Sequence, residues 1–232
     1  MDFLTLAAGA FVGALAAFCF NFWLQRKKQR EENLAYLIFA RASLIAFTNN
    51  LYLFKRQFVM PRVEAAQKIK SPKDSLKTDG KDEQRILRER LYNGQYDWPF
   101  AIERLGFIAQ RAPDIIEVIS SGSYSTETLK NVVISINDLI DAQGSGGETN
   151  FTNSAEKLDD QVNKVLRPAE KSIKLLAKAE EVIFKSRTDI EGVDPKYHDL
   201  KPTFPEDWEE KNWFLPQQQR CCCAALMDIF RC

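Results

Sequence analysis

The stretch Phe3–Leu24 carries no charged residue, and Arg26, Lys27, Lys28 and Arg30 follow it at once. At about 1.5 Å rise per residue, a helix of that length crosses roughly the 30 Å hydrocarbon core of a bilayer. The segment is therefore expected to be a transmembrane helix, and every other reading must accommodate it. Phe18, Phe20, Phe22 and Trp23 crowd the basic end, where aromatic rings favour the headgroup level. A cleaved signal peptide is the rival reading. Against it, the residues before the apolar run include Asp2 and no Lys or Arg, and the run is long for a signal peptide. Positive charges stay on the cytoplasmic side, which gives an N-terminus outside and a cytoplasmic C-terminal part.

Gly9, Gly13 and Ala17 recur every four residues and so share one face of the span. Small residues in such a row let two membrane helices approach closely, which makes this face a candidate for self-association; the plainer alternative is that Gly and Ala are simply common in membrane spans. The basic cluster Arg26, Lys27, Lys28 and Arg30 sets the topology and attracts anionic headgroups at about 1 kcal/mol per charge near the surface.

Outside the span, roughly 200 residues remain, enough for one domain with a core. Lys plus Arg and Asp plus Glu number 32 each among 232 residues. That balance lacks the basic excess of a nucleic-acid binder, and no nucleic-acid partner is expected. The periodicity is helical throughout, so the fold class expected is all-α: one membrane helix (1–30 with its basic flank), a cytoplasmic helical bundle (31–187) and an irregular Pro/Trp-rich tail (188–232).

Within the bundle, Leu34, Leu37, Ile38, Leu44, Ile45, Leu51 and Tyr52 mark a helix apolar nearly all round, from Glu31 to about Met60. It reads as the central core helix, with a second span as the alternative; Arg41 and Asn49-Asn50 weigh against insertion. Pro61 is expected to end or kink it, and 62–81 to be a surface connection or frayed helix. Ile86, Leu87 and Leu91 mark a short helix over 82–92. Asn93-Gly94 reads as a turn, and Asp97 as the cap of a helix that stops near Ala112. Pro113 opens a short helix that Ser120–Ser123 breaks, and Thr126 caps a second through Ile140. Gln143–Gly147 reads as a hinge loop. Asn153 with Glu156 resembles a capping box for a long helix to about Lys185, kinked by Pro168 into two segments. Glu170–Lys174 and Glu181–Lys185 are spaced as i,i+4 pairs on a solvated face, and Asp159-Asp160 reads as exposed.

Four prolines after Arg187 forbid a long helix there. Phe204, Trp208, Trp213 and Phe214, interleaved with acidic residues, mark a segment that wraps the core or docks a protein partner. Cys221, Cys222 and Cys223 adjoin one another, a spacing that splays three thiols around a helix and does not suit tetrahedral zinc. S-acylation or plain packing at the chain end are the readings left. One histidine, His198, and the lack of a nucleophile, zinc or phosphate-loop motif leave no catalytic set, and neither cofactor nor metal is expected. Function is accordingly expected to be that of a membrane-anchored scaffold binding a cytoplasmic partner. The alternatives are an oligomeric membrane effector of anti-phage or exclusion type and, last, a tethered enzyme.

Overall fold

The computed structural model describes residues 3–70, 81–91, 96–142 and 148–202. Every regular element among them is helical. Helix α1 runs unbroken over Phe3–Phe54, passes through a π-turn at Lys55–Val59 and continues as α2, Met60–Lys70. Helix α3 covers Lys81–Arg88. A 3₁₀ turn at Ile102–Leu105 leads into the single turn α4, Gly106–Ala109. The long helices α5, Pro113–Asp141, and α6, Glu148–Ala179, follow. A second π-turn, Glu180–Phe184, and a 3₁₀ turn, Pro195–Leu200, complete the described elements.

The helix α1–α2, α5 and α6 form the bundle. Helix α6 is its hub, packing on α5, α1, α2 and α3, a place the sequence assigns to the 31–60 helix. The pairs Arg41–Glu180, Tyr52–Glu170 and Lys55–Asn163 show α1 and α6 running antiparallel. One continuous core joins Leu37, Leu44 and Leu51 of α1, Ile115 and Leu129 of α5, and Leu158 and Leu166 of α6. The apolar stretch 34–54 is thus a core helix against its bundle neighbours. Among the described residues one helix, Gly9–Lys70, is long and apolar enough to cross a membrane, and it includes both the N-terminal rod and this core stretch. Its described side chains from Gly9 to Leu24 are all exposed, among them Phe11, Phe18 and Trp23.

Several local expectations give way to tertiary packing. Pro61 does not end the helix. It follows a π-turn in which the Met60 N–H already bonds the Lys55 carbonyl, and the Arg62 guanidinium donates to the Phe58 carbonyl at 3.0 Å. The first half of the supposed connection is therefore helical, and Arg62, Ala65 and Ala66 are buried in it. Helix α6 starts at Glu148, ahead of Asn153, and is one element across Pro168. Glu156, expected to close a capping box, instead pairs with Lys70 of α2 at 2.6 Å. Asp97 caps nothing; it accepts from Lys130 of α5, and only a 3₁₀ turn and α4 form before Ala112. The turn at Asn93-Gly94 and the loop at 143–147 lie outside the described residues.

The expected break at Ser120–Ser123 is also absent, and α5 is continuous through Gly122. The Trp98 ring fills the space where a side chain would be: a Cβ built on Gly122 comes within 2.4 Å of Trp98 Cη2. Phe47 and Phe100 hold that ring edge-to-face, with centroids 5.8 and 5.9 Å away. Alanine in a helix interior ordinarily gains about 0.5–1 kcal/mol over glycine. Here the overlap outweighs that gain, and Gly122→Ala is expected to destabilise by about 1–3 kcal/mol. Urea unfolding followed by circular dichroism measures it. A Trp98→Leu background should erase the penalty of Gly122→Ala; persistence there would show that the ring is not its cause.

Candidate functional site

The exposed rod carries the residues that the sequence assigns to the membrane. Open space surrounds Gly9 and Gly13, where an added Cβ meets nothing within 4 Å, and Ala17 is exposed. Arg26 lies over the Phe22 ring, 4.7 Å from its centroid, and Lys27 over Trp23 at 5.7 Å. This cation–aromatic collar sits one turn past the apolar run, where ring and charge both suit an interface between oil and water. Lys28 faces Glu32 at 3.8 Å. Arg30, exposed, also donates to the Phe184 carbonyl at 3.1 Å, tying the carboxyl end of the α6 rod to α1. That carbonyl belongs to the last turn, where intrahelical donors run out and a cation is favoured. Phe204, Trp208, Trp213, Phe214, Cys221, Cys222 and Cys223 lie outside the described residues.

A buried polar seam follows the rod into the bundle. Arg41, Thr48, Lys55 and Arg62 recur every seven residues, and all four are buried. Seven residues make nearly two helical turns, so Arg41, Thr48 and Lys55 line one side of the helix, while Arg62 follows past the π-turn and donates to the Phe58 and Glu89 carbonyls. Arg41 donates to the Glu180 carboxylate and to the Thr188 carbonyl, both at 2.7 Å. The Thr188 hydroxyl donates to the other carboxylate oxygen of Glu180. Lys55 donates to Asn163 at 2.7 Å and lies 3.5 Å from Asp159, which is therefore half-buried and not the free face expected. Each π-turn opens on a buried charge of this seam, Lys55 in one and Glu180 in the other. The segment after α6 is strapped to the same side: the Asp194 N–H bonds Asn49, and Tyr197 stacks on Tyr52 with centroids 5.4 Å apart.

Glu170, placed by sequence on a solvated face, is buried and accepts from the Tyr52 hydroxyl. Burial, with the Glu170 carboxyl beside it, pushes the Tyr52 phenol far above its ordinary value of 10.0. A raised folded-state value contributes stability that is complete below the unfolded value and declines as pH climbs past it. Stability of the bundle should therefore fall above about pH 10, approaching about 1.4 kcal/mol per pH unit from this group. Tyr52→Phe leaves Glu170 without its donor and should cost about 1–3 kcal/mol at neutral pH. Its deficit against the parent should shrink above pH 10. Parallel denaturation curves at pH 8 and 11 check this, and a constant deficit would refute the assignment.

Apart from the seam, an open cleft of about 470 Å³ is lined by Tyr96, Trp98, Ile102, Ser123, Tyr124 and Lys130, among others. Lys130 bridges Asp97 and Glu127, and these carboxylates, Asp97 first, hold its ammonium above the usual lysine value. The Trp98 indole N–H, buried at this cleft, has no acceptor among the described residues. Within those residues no group of three or more His, Cys, Asp or Glu side chains is arranged to hold a metal ion.

Sequence reading notices Arg41 only as an obstacle to membrane insertion, sets Glu170 on a solvated face, and passes over Lys55 and Glu180. The seven-residue recurrence of polar residues in an otherwise apolar helix is the signal that marks this seam. Together, the rod and the seam define an all-helical bundle whose core helix extends outward as an apolar, aromatic-collared stalk. Comparison with protein-family models, with curated proteins and with solved structures yields no match for this chain.

Proposed function

We propose that this chain is a single-pass membrane-anchored interaction protein. Its N-terminus lies outside and its bundle lies in the cytoplasm, presented to a protein partner. The observation that carries the reading is the continuity of α1: exposed, uncharged residues from Gly9 to Leu24 run without a break into a helix that buries one side in the bundle between Leu37 and Phe54. An exposed apolar rod needs lipid or protein around it, and this one ends in the collar expected at a headgroup layer. With no linker between stalk and bundle, the bundle's position is fixed relative to the membrane surface. Such a mount suits a scaffold that holds a partner at a set height.

Docking is assigned to Phe204, Trp208, Trp213 and Phe214. The test compares partners recovered from detergent-solubilised membranes by the full chain and by a chain ending at Pro202. Truncation belongs there because Thr188, Asp194 and Tyr197 contact Arg41, Asn49 and Tyr52, so an earlier cut would loosen the bundle. Loss of a partner with 203–232 supports docking by the tail. Retention moves docking to the bundle, and no partner with either chain sinks the reading. Orientation is read from a reporter fused after Cys232 that matures only in the cytoplasm.

The second reading, an oligomeric membrane effector, draws on the open space around Gly9 and Gly13. Gly13→Leu separates the two. If insertion is intact, the effector reading expects lost activity and the tether reading expects none lost.

A further inference from the structure

We infer that the membrane-facing end of the α6 rod is a docking surface for anionic lipid headgroups, which seats the bundle on the bilayer beside its own stalk. The inference rests on the membrane-anchored reading above. It turns on Lys185 and Arg187, both exposed and both far in sequence from the juxtamembrane cluster.

Helix geometry gives the height. Arg30 follows Leu24 by six residues, about 9 Å along an unbroken helix at about 1.5 Å per residue. Its guanidinium holds the Phe184 carbonyl, so the end of the α6 rod lies within one arginine side chain of that height. The headgroup layer itself fills about 5–7 Å above the hydrocarbon. The gap that remains is within about one Debye length, ~10 Å, and lysine and arginine carry their charges on long stems that shorten it further. Because α1 continues from stalk to bundle without a linker, the rod cannot retreat from the surface.

Three observations select anionic headgroups as the occupant. First, α6 and its π-turn run antiparallel to α1 and so aim their carboxyl end at the membrane. The last carbonyls of a helix carry partial negative charge, which an anionic surface repels unless cations stand between. Arg30, Lys185 and Arg187 stand there. Second, Lys185 is left-handed, with φ of 54°, and among the described residues no other non-glycine residue has a positive φ. It closes the helix at a position where glycine is usual, because glycine has no Cβ to strain. A lysine there strains the backbone, and the charge it brings is the gain that offsets this. Third, among the described residues neither Lys185 nor Arg187 has an ion-pair partner, so both charges are available. The exposed acids at this level are Glu31, Glu32 and Glu181, and Glu32 already faces Lys28. Asp189 lies further from the membrane, past the Thr188 carbonyl that Arg41 holds. Cations therefore prevail at this end. The adjoining loop, which packs Phe107 on Phe184, runs between Glu103 and Asp114 with two arginines and no acid of its own.

The experiment places the full chain in phosphatidylcholine vesicles, with its five cysteines changed to serine and a small fluorophore on Ser186→Cys. A minor fraction of lipid, spin-labelled high on the acyl chain, quenches the fluorophore at short range. The label is carried once on phosphatidylglycerol and once on phosphatidylcholine. The parent should be quenched about fivefold more by the anionic lipid at low salt, and about 0.5 M NaCl should abolish the preference. Lys185→Gly with Arg187→Gln should bring the preference below about twofold, whereas Lys157→Gln, far along α6, should leave it unchanged. Lys185→Gly also separates charge from fold. Glycine adopts this φ freely, so the variant should resist urea in detergent at least as well as the parent; a weaker fold would make the lysine structural and overturn the inference. Flotation of the vesicles comes first. A chain that does not float with them overturns the anchor reading and this inference with it. A floating chain with no preference for the anionic lipid, or one that keeps its preference in the double variant, overturns this inference alone and leaves the end of the rod to a protein partner.

Discussion

Replacing Glu180 by leucine is expected to destabilise the bundle by about 3–5 kcal/mol, because it strands the Arg41 guanidinium in the core. The side chains of this pair are 7% and 0% exposed, so water cannot take over the lost partner. The Thr188 carbonyl still accepts one guanidinium bond, but it carries no charge to balance the arginine. Changing both residues, Arg41→Met with Glu180→Leu, is expected to bring stability back to within about 1–2 kcal/mol of the parent or above it, since apolar side chains replace a buried ion pair at little net cost. Urea unfolding in detergent micelles, followed by circular dichroism, gives both numbers. The single change should also free the segment from Ser186 to Pro202, because Thr188 loses its carboxylate acceptor; limited proteolysis after Arg187 reads this directly. A single variant that loses less than about 1 kcal/mol would refute a buried Arg41–Glu180 pair.

Leu15→Arg, near the middle of the exposed apolar run, is expected to remove most of the chain from alkali-washed membranes. A central arginine costs about 2.5–3.5 kcal/mol on insertion scales, or roughly a hundredfold in partition between inserted and excluded states. Ala46→Arg, placed in the other apolar stretch, is the control. Ala46 faces outward from a helix whose opposite side is packed in the bundle, so an arginine there meets water and integration should be unchanged. Equal loss in both variants would mean that 34–54 also crosses the membrane. Insertion unaffected by Leu15→Arg would remove the anchor altogether.

The helical character of the chain is plain in its sequence because apolar spacing near 3.6 residues is a local property. The run Phe3–Leu24, its basic flank, the opening of α5 at Pro113 and the end of the α6 rod near Lys185 all follow from residues close in sequence. Breakers mislead for the same reason. Pro61, Gly122 and Pro168 each disfavour a helix by local measure, yet each lies within a continuous helical rod. At Gly122 a tryptophan 24 positions earlier occupies the missing side chain's volume, and at Pro61 a π-turn and the Arg62 guanidinium take up the disturbed carbonyls. At Gly122 no window of neighbouring residues contains that information.

The candidate site divides along the same line. The sequence alone determined a greasy segment of membrane-crossing length with cations at one end and a helical remainder, since length, charge and period need no partner to define them. Only the tertiary structure decided that the second apolar stretch is a core helix. The polar residues Arg41 and Thr48 within it and Lys55 just after it read as defects in isolation, yet Arg41 is matched by a carboxylate 139 residues away and Lys55 by an amide 108 residues away. Whether a buried charge breaks a fold or fixes its register depends on what stands opposite, and the chain reveals that only when folded.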